Sequence, residues 1–516
     1  MKTLFAQFQE RVAAAPHRVA VHHRNCDTTY ADLARNAAAV AAWLHTQGLQ
    51  HGDRVAVLIP NSAAFVAAYL GIQAAGGVVV ALNPDTTPHE LTNTLGDCAP
   101  FGVITGAAAE APLSQIAEKL PSVRVVVRVD DKLAPVFPKS WEIAAWADVE
   151  QQSVTQTPTL PQLDDIAQII YTSGTTGKPK GVTLSHGNVA ANCASIVEYL
   201  SLSANDSVLV SLPFFYSYGN SLLFTHLAVG GRLVLASDTV FWNRVLDLMQ
   251  RERTTGFSGV PSTYAMLLHK SDFRTREFPE LRYLTCAGGG LAPAVVDRLR
   301  DVVPNVELFL MYGQTEATAR LSTLMPNEVE TKLGSIGRGI PGVDLSVLDD
   351  SNTPVQPGEV GEIVARGENL MQGYWNDRTG TERVIREEGL RTGDLARVDE
   401  DGYLFIVGRK SDIIKSGAYR INPKELEEVI LKLPGVAEVA VVGLPDEIQG
   451  EAIVAFVVHS ANEVETTAEV IFEHCRKHLP RYKMIREVRF VDSLPKTPSG
   501  KIRKNDLRNV DDSVPA

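Results

Sequence analysis

No two cysteines in this chain are spaced as a Cys-x-x-Cys pair. The five, Cys26, Cys98, Cys193, Cys286 and Cys475, are widely scattered and odd in number. That excludes a disulfide framework and points to free thiols in a reducing cytoplasm. An uninterrupted membrane-length apolar run is also missing. The longest apolar stretch, Val55 to Leu82, is broken by Pro60-Asn61-Ser62 and by Gly76-Gly77, and reads as strand, helix, strand rather than a transmembrane segment. Met1 to Glu10 lacks the charged-then-apolar layout of a secretory signal. Positive charge is in deficit. With 49 Lys and Arg against 61 Asp and Glu the net charge is −12, which argues against nucleic acid as the main partner. There is no internal repeat and no low-complexity tract.

What is present is ordinary in bulk. The 516 residues are 45% hydrophobic and 21% charged, a globular composition. The length suits about three domain-sized units. The charge is unevenly placed. Arg476 to Arg508 holds eleven Lys or Arg and three Asp or Glu, a net of +8, so the remainder carries −20. A basic segment on an acidic protein suits a polyanionic ligand, although taken alone a solvated basic face is the commoner reason for one.

Short β-branched runs alternate with helical stretches through the first 400 residues. Val19 to His22, Val55 to Ile59, Val78 to Leu82, Gly102 to Thr105 and Val123 to Val129 read as strands. The apolar stretch between the second and third, and the Ala-rich Ala31 to His45, read as helices. This pattern predicts an α/β chain with largely parallel sheets. A smaller α+β region follows, with a helix from Pro423, strands Val436 to Val442 and Ala452 to Val458, and a helix around Glu469 to His478.

The most informative stretch is Tyr171-Thr-Ser-Gly-Thr-Thr-Gly-Lys-Pro-Lys-Gly181, after the apolar run Ile166 to Ile170. Three glycines allow positive φ and close approach of backbone to ligand. Hydroxyls, free N–H groups and two lysines suit phosphate oxygens, so the stretch reads as a polyphosphate-cradling loop. It is not the G-x-x-x-x-G-K-[ST] loop. Only two residues separate Gly174 from Gly177, and Pro179, after Lys178, lacks an N–H and disfavours helix at Lys178. A second Gly-rich stretch, Gly337-Arg-Gly-Ile-Pro-Gly342, fits G-x-G-x-x-G. Its Pro341 and the strand-like alternation of Val343 to Leu348 exclude a dinucleotide site.

Several further segments have chemical content. Pro213-Phe-Phe-Tyr-Ser-Tyr-Gly-Asn220 gathers aromatics beside a glycine, as either a substrate pocket or core packing. Phe257-Ser-Gly-Val-Pro-Ser262 and Cys286-Ala-Gly-Gly-Gly-Leu-Ala-Pro293 read as Gly-rich turns at strand ends. Leu308 to Met311 is an apolar strand ending in Tyr312-Gly-Gln-Thr-Glu316, where Glu316 is a hard oxygen donor suited to Mg²⁺. Arg391-Thr-Gly-Asp394 and Gly408-Arg-Lys-Ser-Asp412 supply an acceptor carboxylate and an arginine suited to ribose. Near the C-terminus, Pro495-Lys-Thr-Pro-Ser-Gly-Lys-Ile-Arg503 presents Lys501. A cation there suits a reaction in which a carboxylate attacks a phosphate and two anions meet.

In this order these motifs resemble those of the AMP-forming adenylate-forming superfamily, which includes acyl- and aryl-CoA synthetases. The resemblance covers Tyr171 to Lys501. It implies a large N-terminal domain of mixed sheets with flanking helices, residues 1–408, and a small mobile α+β C-terminal domain, residues 409–516. It further implies ATP-dependent activation of a carboxylic acid to an acyl-adenylate with pyrophosphate release. Transfer to the thiol of CoA and release of AMP would follow.

The resemblance also assigns residues. Lys501, Thr315 and Glu316 would be catalytic. Thr172, Ser173, Gly174, Thr175, Thr176, Gly177, Lys178, Gly288, Gly289, Gly290, Tyr312, Gly313, Gln314, Asp394, Arg409 and Arg420 would hold ATP or AMP. Thr172 and Glu316 would serve Mg²⁺. Tyr216, Ser217, Tyr218, Gly219, Val260 and Pro261 would line the acyl pocket and admit medium- or long-chain fatty or aryl acids. Three positions depart from the family. Tyr216 stands where a histidine is frequent, Ser411 at a hinge position commonly Asp or Lys, and Ala418 where many members have glycine. Two other functions fit the same motifs: a stand-alone enzyme loading an acyl or amino acid onto a separate carrier protein, and a non-catalytic nucleotide sensor. No aspartate in Phe214 to Asn220 is available to hold a substrate ammonium, which disfavours amino acids.

Overall fold

A computed structural model describes residues 1–130, 137–154, 160–172, 179–237, 241–416, 419–446, 449–460, 466–496 and 502–508, with Arg420 by its backbone alone. The packing divides the chain into two units. One comprises Met1–Leu345 and Ala365–Leu390, the other Ser346–Val364 and Arg391–Ala516. The packed second unit thus takes in residues that sequence reasoning placed with the large domain. The boundary expected at 408/409 is one of motion, which packing does not address.

The first unit holds two large sheets. In the nine-stranded sheet, Ser207–Val210, Gly256–Gly259, Tyr283–Cys286 and Glu307–Tyr312 lie side by side and parallel. Ser322–Leu324 extends it antiparallel. In the eight-stranded sheet the inner strands Arg54–Leu58, Val78–Ala81, Gly102–Thr105 and Val125–Arg128 are parallel. Its other end is the antiparallel set Ile166–Thr172, Lys180–Ser185 and Gly373–Tyr374. The expected α/β architecture with largely parallel sheets is therefore present. Two short strands, Cys26–Thr29 and Glu142–Ala145, escaped the sequence reading because neither is apolar on one face.

The apolar stretch Val55 to Leu82 resolves as expected. Its helix, Ala63–Ala74, starts where Ser62 Oγ accepts from Phe65 N, and all its residues from Phe65 onward are buried. A helix apolar on every side belongs to an interior layer, not to a surface. Among the described residues no helix is long and apolar enough to cross a membrane. The five cysteines are free, four of them buried, and burial pushes the Cys98, Cys193 and Cys286 thiols up to about 12.

The second unit carries the strands Tyr419–Ile421, Ile414–Ser416, Gly450–His459, Val436–Asp446 and Glu487–Phe490. The amphipathic helices Pro423–Ile430 and Ala468–His478 bury Leu426, Ile430, Ile471 and Cys475 in a core with Val439, Val441 and Val457. This is the small α+β region foreseen at the C-terminal end.

Candidate active site

Four of the motif segments leave the carboxyl ends of four adjacent parallel strands. Ser207–Val210 runs out into the Pro213 to Asn220 aromatics, Gly256–Gly259 into Val260-Pro261, Tyr283–Cys286 into Gly288-Gly289-Gly290, and Glu307–Tyr312 into Gly313 to Glu316. The carboxyl end of a parallel sheet is where α/β enzymes bind their ligands. The segments also meet each other. A Cβ placed on Gly289 would lie 3.4 Å from Pro261 Cγ, and Thr315 Oγ1 lies 3.4 Å from Ser217 Oγ. Expected nucleotide and acyl residues, 98 positions apart in the last case, thus share one edge.

Local chemistry fixes each segment. Gly313 is glycine because a Cβ there would stand 2.0 Å from Ala319 O. Beyond it, Thr315–Ala317 forms a 3-10 turn, and Glu316 O accepts from Met371 N at 2.9 Å. Gly288 to Gly290 are exposed, and Gly288 has φ +87°, open to L-residues only at a cost. Tyr312 is buried at the strand end, 8% exposed.

The aromatic segment turns out to be the start of a helix, Ser217–Val229, buried on all sides from Gly219 to Ala228. Phe214 packs wholly buried against Phe65, ring centroids 5.3 Å apart, and is core. Gly219 fits beneath Pro213 O, which a Cβ would meet at 2.0 Å. Tyr218 is fixed, its hydroxyl within hydrogen-bond distance of Thr285 O and Oγ1, at 2.9 and 2.8 Å. The Arg320 guanidinium lies 4.1 Å from its ring centre. Tyr216 is half-buried against Phe215. Burial, helped by the Glu90 charge, pushes its phenol up to about 12, so it stays a neutral donor.

The strands Ile166–Thr172 and Lys180–Ser185 pair antiparallel, with Tyr171 opposite Gly181 and Thr172 opposite Lys180. Ser173, Gly174, Thr175, Thr176, Gly177 and Lys178, expected to cradle phosphate, join the two strands and lie outside the described residues. At the base, Tyr171 donates to Asp97 Oδ2 at 2.5 Å. Lys180 Nζ lies 4.5 Å from the ring centre of Tyr374, whose hydroxyl donates to Glu316 Oε1 at 2.8 Å. Burial and the neighbouring carboxylate raise the Tyr374 phenol far above its ordinary range, which keeps it a donor. From sequence Lys180 reads only as one of the two lysines of the phosphate-cradling stretch, and Tyr374 is not singled out. Tyr374 lies 58 positions from Glu316, and only the sheet brings them together.

In the second unit, Asp394 and Arg409 face each other across paired strands, with Arg409 Nε 3.0 Å from Asp394 Oδ1. Glu362, missed by sequence reasoning, anchors the Thr-Gly-Asp turn. It accepts from Gly393 N at 3.2 Å, from Arg391 Nη1 at 2.7 Å and from Lys410 Nζ at 3.2 Å. Ser411 Oγ is 3.3 Å from Asp412 Oδ1, at an exposed turn. Ala418 and Lys501 lie outside the described residues, as does the Arg420 side chain.

Such a strand-end edge, where the segments expected to hold nucleotide and acyl group meet, is that of an α/β enzyme with its ligand site at the carboxyl ends of parallel strands. Residues 8–375 match the model of the AMP-binding enzyme family and residues 425–501 that of the AMP-binding enzyme C-terminal domain. The chain belongs to the AMP-binding enzyme family. It is 33% identical over 501 residues to a feruloyl-CoA synthase of Amycolatopsis sp, covering 96% of this chain and 97% of the relative. It is 32% identical over 536 residues to a long-chain-fatty-acid–CoA ligase of Bacillus subtilis, covering 98% and 94%. Its structure resembles that of o-succinylbenzoate CoA synthetase from Bacillus subtilis in complex with the acyl-adenylate intermediate. That match has a TM-score of 0.85 at 27% identity, with 98% of each chain covered. The protein is thus an ATP-dependent, adenylate-forming acid–thiol ligase of the CoA-ligase type.

Proposed function

We propose that this ligase activates an apolar acid, a medium- or long-chain fatty or an aryl carboxylate, and passes it to CoA, with the roles below. The observation that carries this reading is the shared edge where Thr315 meets Ser217. There an acyl carboxylate held near Ser217 and Tyr216 would stand beside the nucleotide's α-phosphate at Thr315. Tyr216, Phe215, Val260 and Pro261 offer an apolar wall with one neutral donor. The named relatives act on feruloyl and long-chain acyl groups, which agrees with such a wall.

Glu316 fits a magnesium ion. Tyr374 occupies its Oε1, and among the described residues Oε2 takes no hydrogen bond. No group of three acidic, His or Cys side chains converges among the described residues. That donor set suits an ion held by one or two protein oxygens together with substrate phosphates. Thr172, across the strand pair from Lys180, would be the second protein oxygen. The ion would neutralise phosphate charge as pyrophosphate leaves.

The protein's own residues do the rest. The Ser173 to Lys178 loop holds the β- and γ-phosphates, while Gly288 to Gly290 and Tyr312 receive adenine. Asp394 accepts from the ribose hydroxyls, with Arg409 beside it. Lys501 is the cation that offsets charge building between carboxylate and α-phosphate. In the second half-reaction residues 409–516 rotate about the turn at Ser411. Lys501 withdraws and the segment around Arg420 approaches, letting the thiol attack. A cytoplasmic location, the expectation drawn from the scattered cysteines, agrees with ATP and CoA as substrates.

The test is a panel of fatty, aryl and amino acids assayed for acid-dependent pyrophosphate release, with and without CoA. Apolar acids should lead in kcat/KM and yield CoA thioesters. A preference for amino acids, or adenylates that CoA does not discharge, overturns the reading in favour of a carrier-protein acceptor.

A further inference from the structure

Glu316 grows out of the nine-stranded sheet, while Lys180 returns from the phosphate loop in the eight-stranded sheet. One segment, residues 369–375, touches both. Asn369, 2% exposed, donates from Nδ2 to Ala317 O at 3.2 Å and to Arg320 O at 2.9 Å. Its carbonyl accepts from Thr318 Oγ1 at 2.7 Å. Met371 N donates to Glu316 O. Gln372 N then donates to Thr183 O at 2.9 Å and Trp375 N to Gly181 O at 2.6 Å, so the segment adds a strand beside the one leaving the loop.

The turn it grips is under tension. Thr318 has φ 63° and ψ −63°, and Ala319 N donates to Ala317 O at 2.7 Å, closing a three-residue turn. That conformation is rare, and a β-branched residue adopts it only where its surroundings impose it. Here the imposing groups are Asn369 and the Met371 N–H. They hold the backbone at Glu316 and just after it, and Tyr374 holds its carboxylate. With Oε1 engaged by the phenol, rotation of the carboxylate is restrained, and Oε2 is the oxygen left for another partner.

We propose that Tyr374 is a positioning residue for Glu316, holding the carboxylate in the orientation that receives the metal–ATP complex. It ties that carboxylate to the strand returning from the phosphate loop. The proposal rests on the reading of Glu316 as the magnesium ligand. Hydrogen-bond partners of metal-ligating carboxylates set ligand orientation, and their loss costs about ten- to a hundredfold in metal affinity.

The experiment is calorimetric titration of the full-length enzyme with ATP, in Mg²⁺ and in EDTA. It compares the wild type, Tyr374→Phe, Glu316→Gln and the double variant, with thermal unfolding of each. Tyr374→Phe keeps the ring beneath Lys180 and removes only the hydroxyl. It should reduce the Mg²⁺-dependent gain in ATP affinity about tenfold, leaving the EDTA affinity and Tm unchanged. In the Glu316→Gln background it should add nothing. Equal loss in Mg²⁺ and EDTA, or a full loss persisting in Glu316→Gln, overturns the proposal, because Tyr374 would then act on packing or directly on nucleotide. If Glu316→Gln loses the gain and Tyr374→Phe keeps it, Tyr374 alone is refuted. If Glu316→Gln keeps the gain, the metal role of Glu316 fails, and the role of Tyr374 fails with it.

Discussion

Arg409 donates through Nε to Asp394 Oδ1 at 3.0 Å, from the facing position of a paired strand. The asymmetry of the pair matters. The Asp394 side chain is 7% exposed and that of Arg409 52%. The carboxylate is buried, while the guanidinium is half-exposed at the strand surface. A ribose diol would meet a buried acceptor with an exposed donor beside it.

Asp394→Asn should therefore weaken ATP and AMP binding alike by roughly ten- to a hundredfold, the range for hydrogen bonds to a charged group. Arg409→Gln should cost less, because an exposed ion pair contributes little. Equilibrium titration with both nucleotides checks the ranking. An Arg409 effect exceeding that of Asp394 would reverse the assignment.

Lys501 acts in only one half of the reaction on this account. Lys501→Ala should lower adenylate formation by about 10²–10³, the scale for removing one aligned transition-state partner. Thioester formation from preformed acyl-adenylate and CoA should be nearly unaffected. Rapid-quench measurement of the two halves separates them, and an equal fall in both contradicts the assigned role.

Gly313→Ala forces a Cβ to within 2.0 Å of Ala319 O. The turn carrying Thr315 and Glu316 must move. Overpacking of this kind typically costs about 1–3 kcal/mol. The Tm should drop and adenylation fall further than stability alone explains. Full activity at permissive temperature would show that the turn's position is not critical.

Stability should decline in mild acid for an identifiable reason. His186 and His226 are buried, and burial pulls both down to about 4. For His226, Nδ1 lies 3.0 Å from Leu222 O and Nε2 3.1 Å from Tyr283 Oη, partners that suit a neutral ring. The unfolded chain binds the protons more readily. Stability is thus complete above about pH 6.5 and is lost as pH falls towards 4. By pH 5 the loss is about 2 kcal/mol for each histidine. Chemical denaturation at pH 7 and 5 measures it, and His226→Gln should remove about half of the difference, leaving the His186 share.

Much of this was legible in the sequence. The helices expected from Pro423 and around Glu469 to His478 formed as Pro423–Ile430 and Ala468–His478. The apolar strand before Tyr312 and the interrupted stretch Val55 to Leu82 also folded as their patterns indicate. The segment Pro213 to Asn220 did not. The helix beginning at Ser217 is buried all round, with Asn220, Ser221, Thr225 and His226 among its buried residues, so no 3.6-residue alternation reveals it, and its glycine serves a close backbone approach. Tyr374, Asn369 and Glu362 carried no signal at all. Each acts on a partner brought near only by sheet pairing or a distant loop, so no local pattern marks it.

The central claim is an adenylate intermediate passed to CoA. A single-turnover mixture of enzyme, MgATP and the best acid, without CoA, tests it most directly. One equivalent of pyrophosphate should appear with one equivalent of enzyme-bound acyl-adenylate, and added CoA should convert the adenylate to thioester and AMP. Formation of ADP and inorganic phosphate, or an adenylate that CoA leaves untouched, would contradict the account.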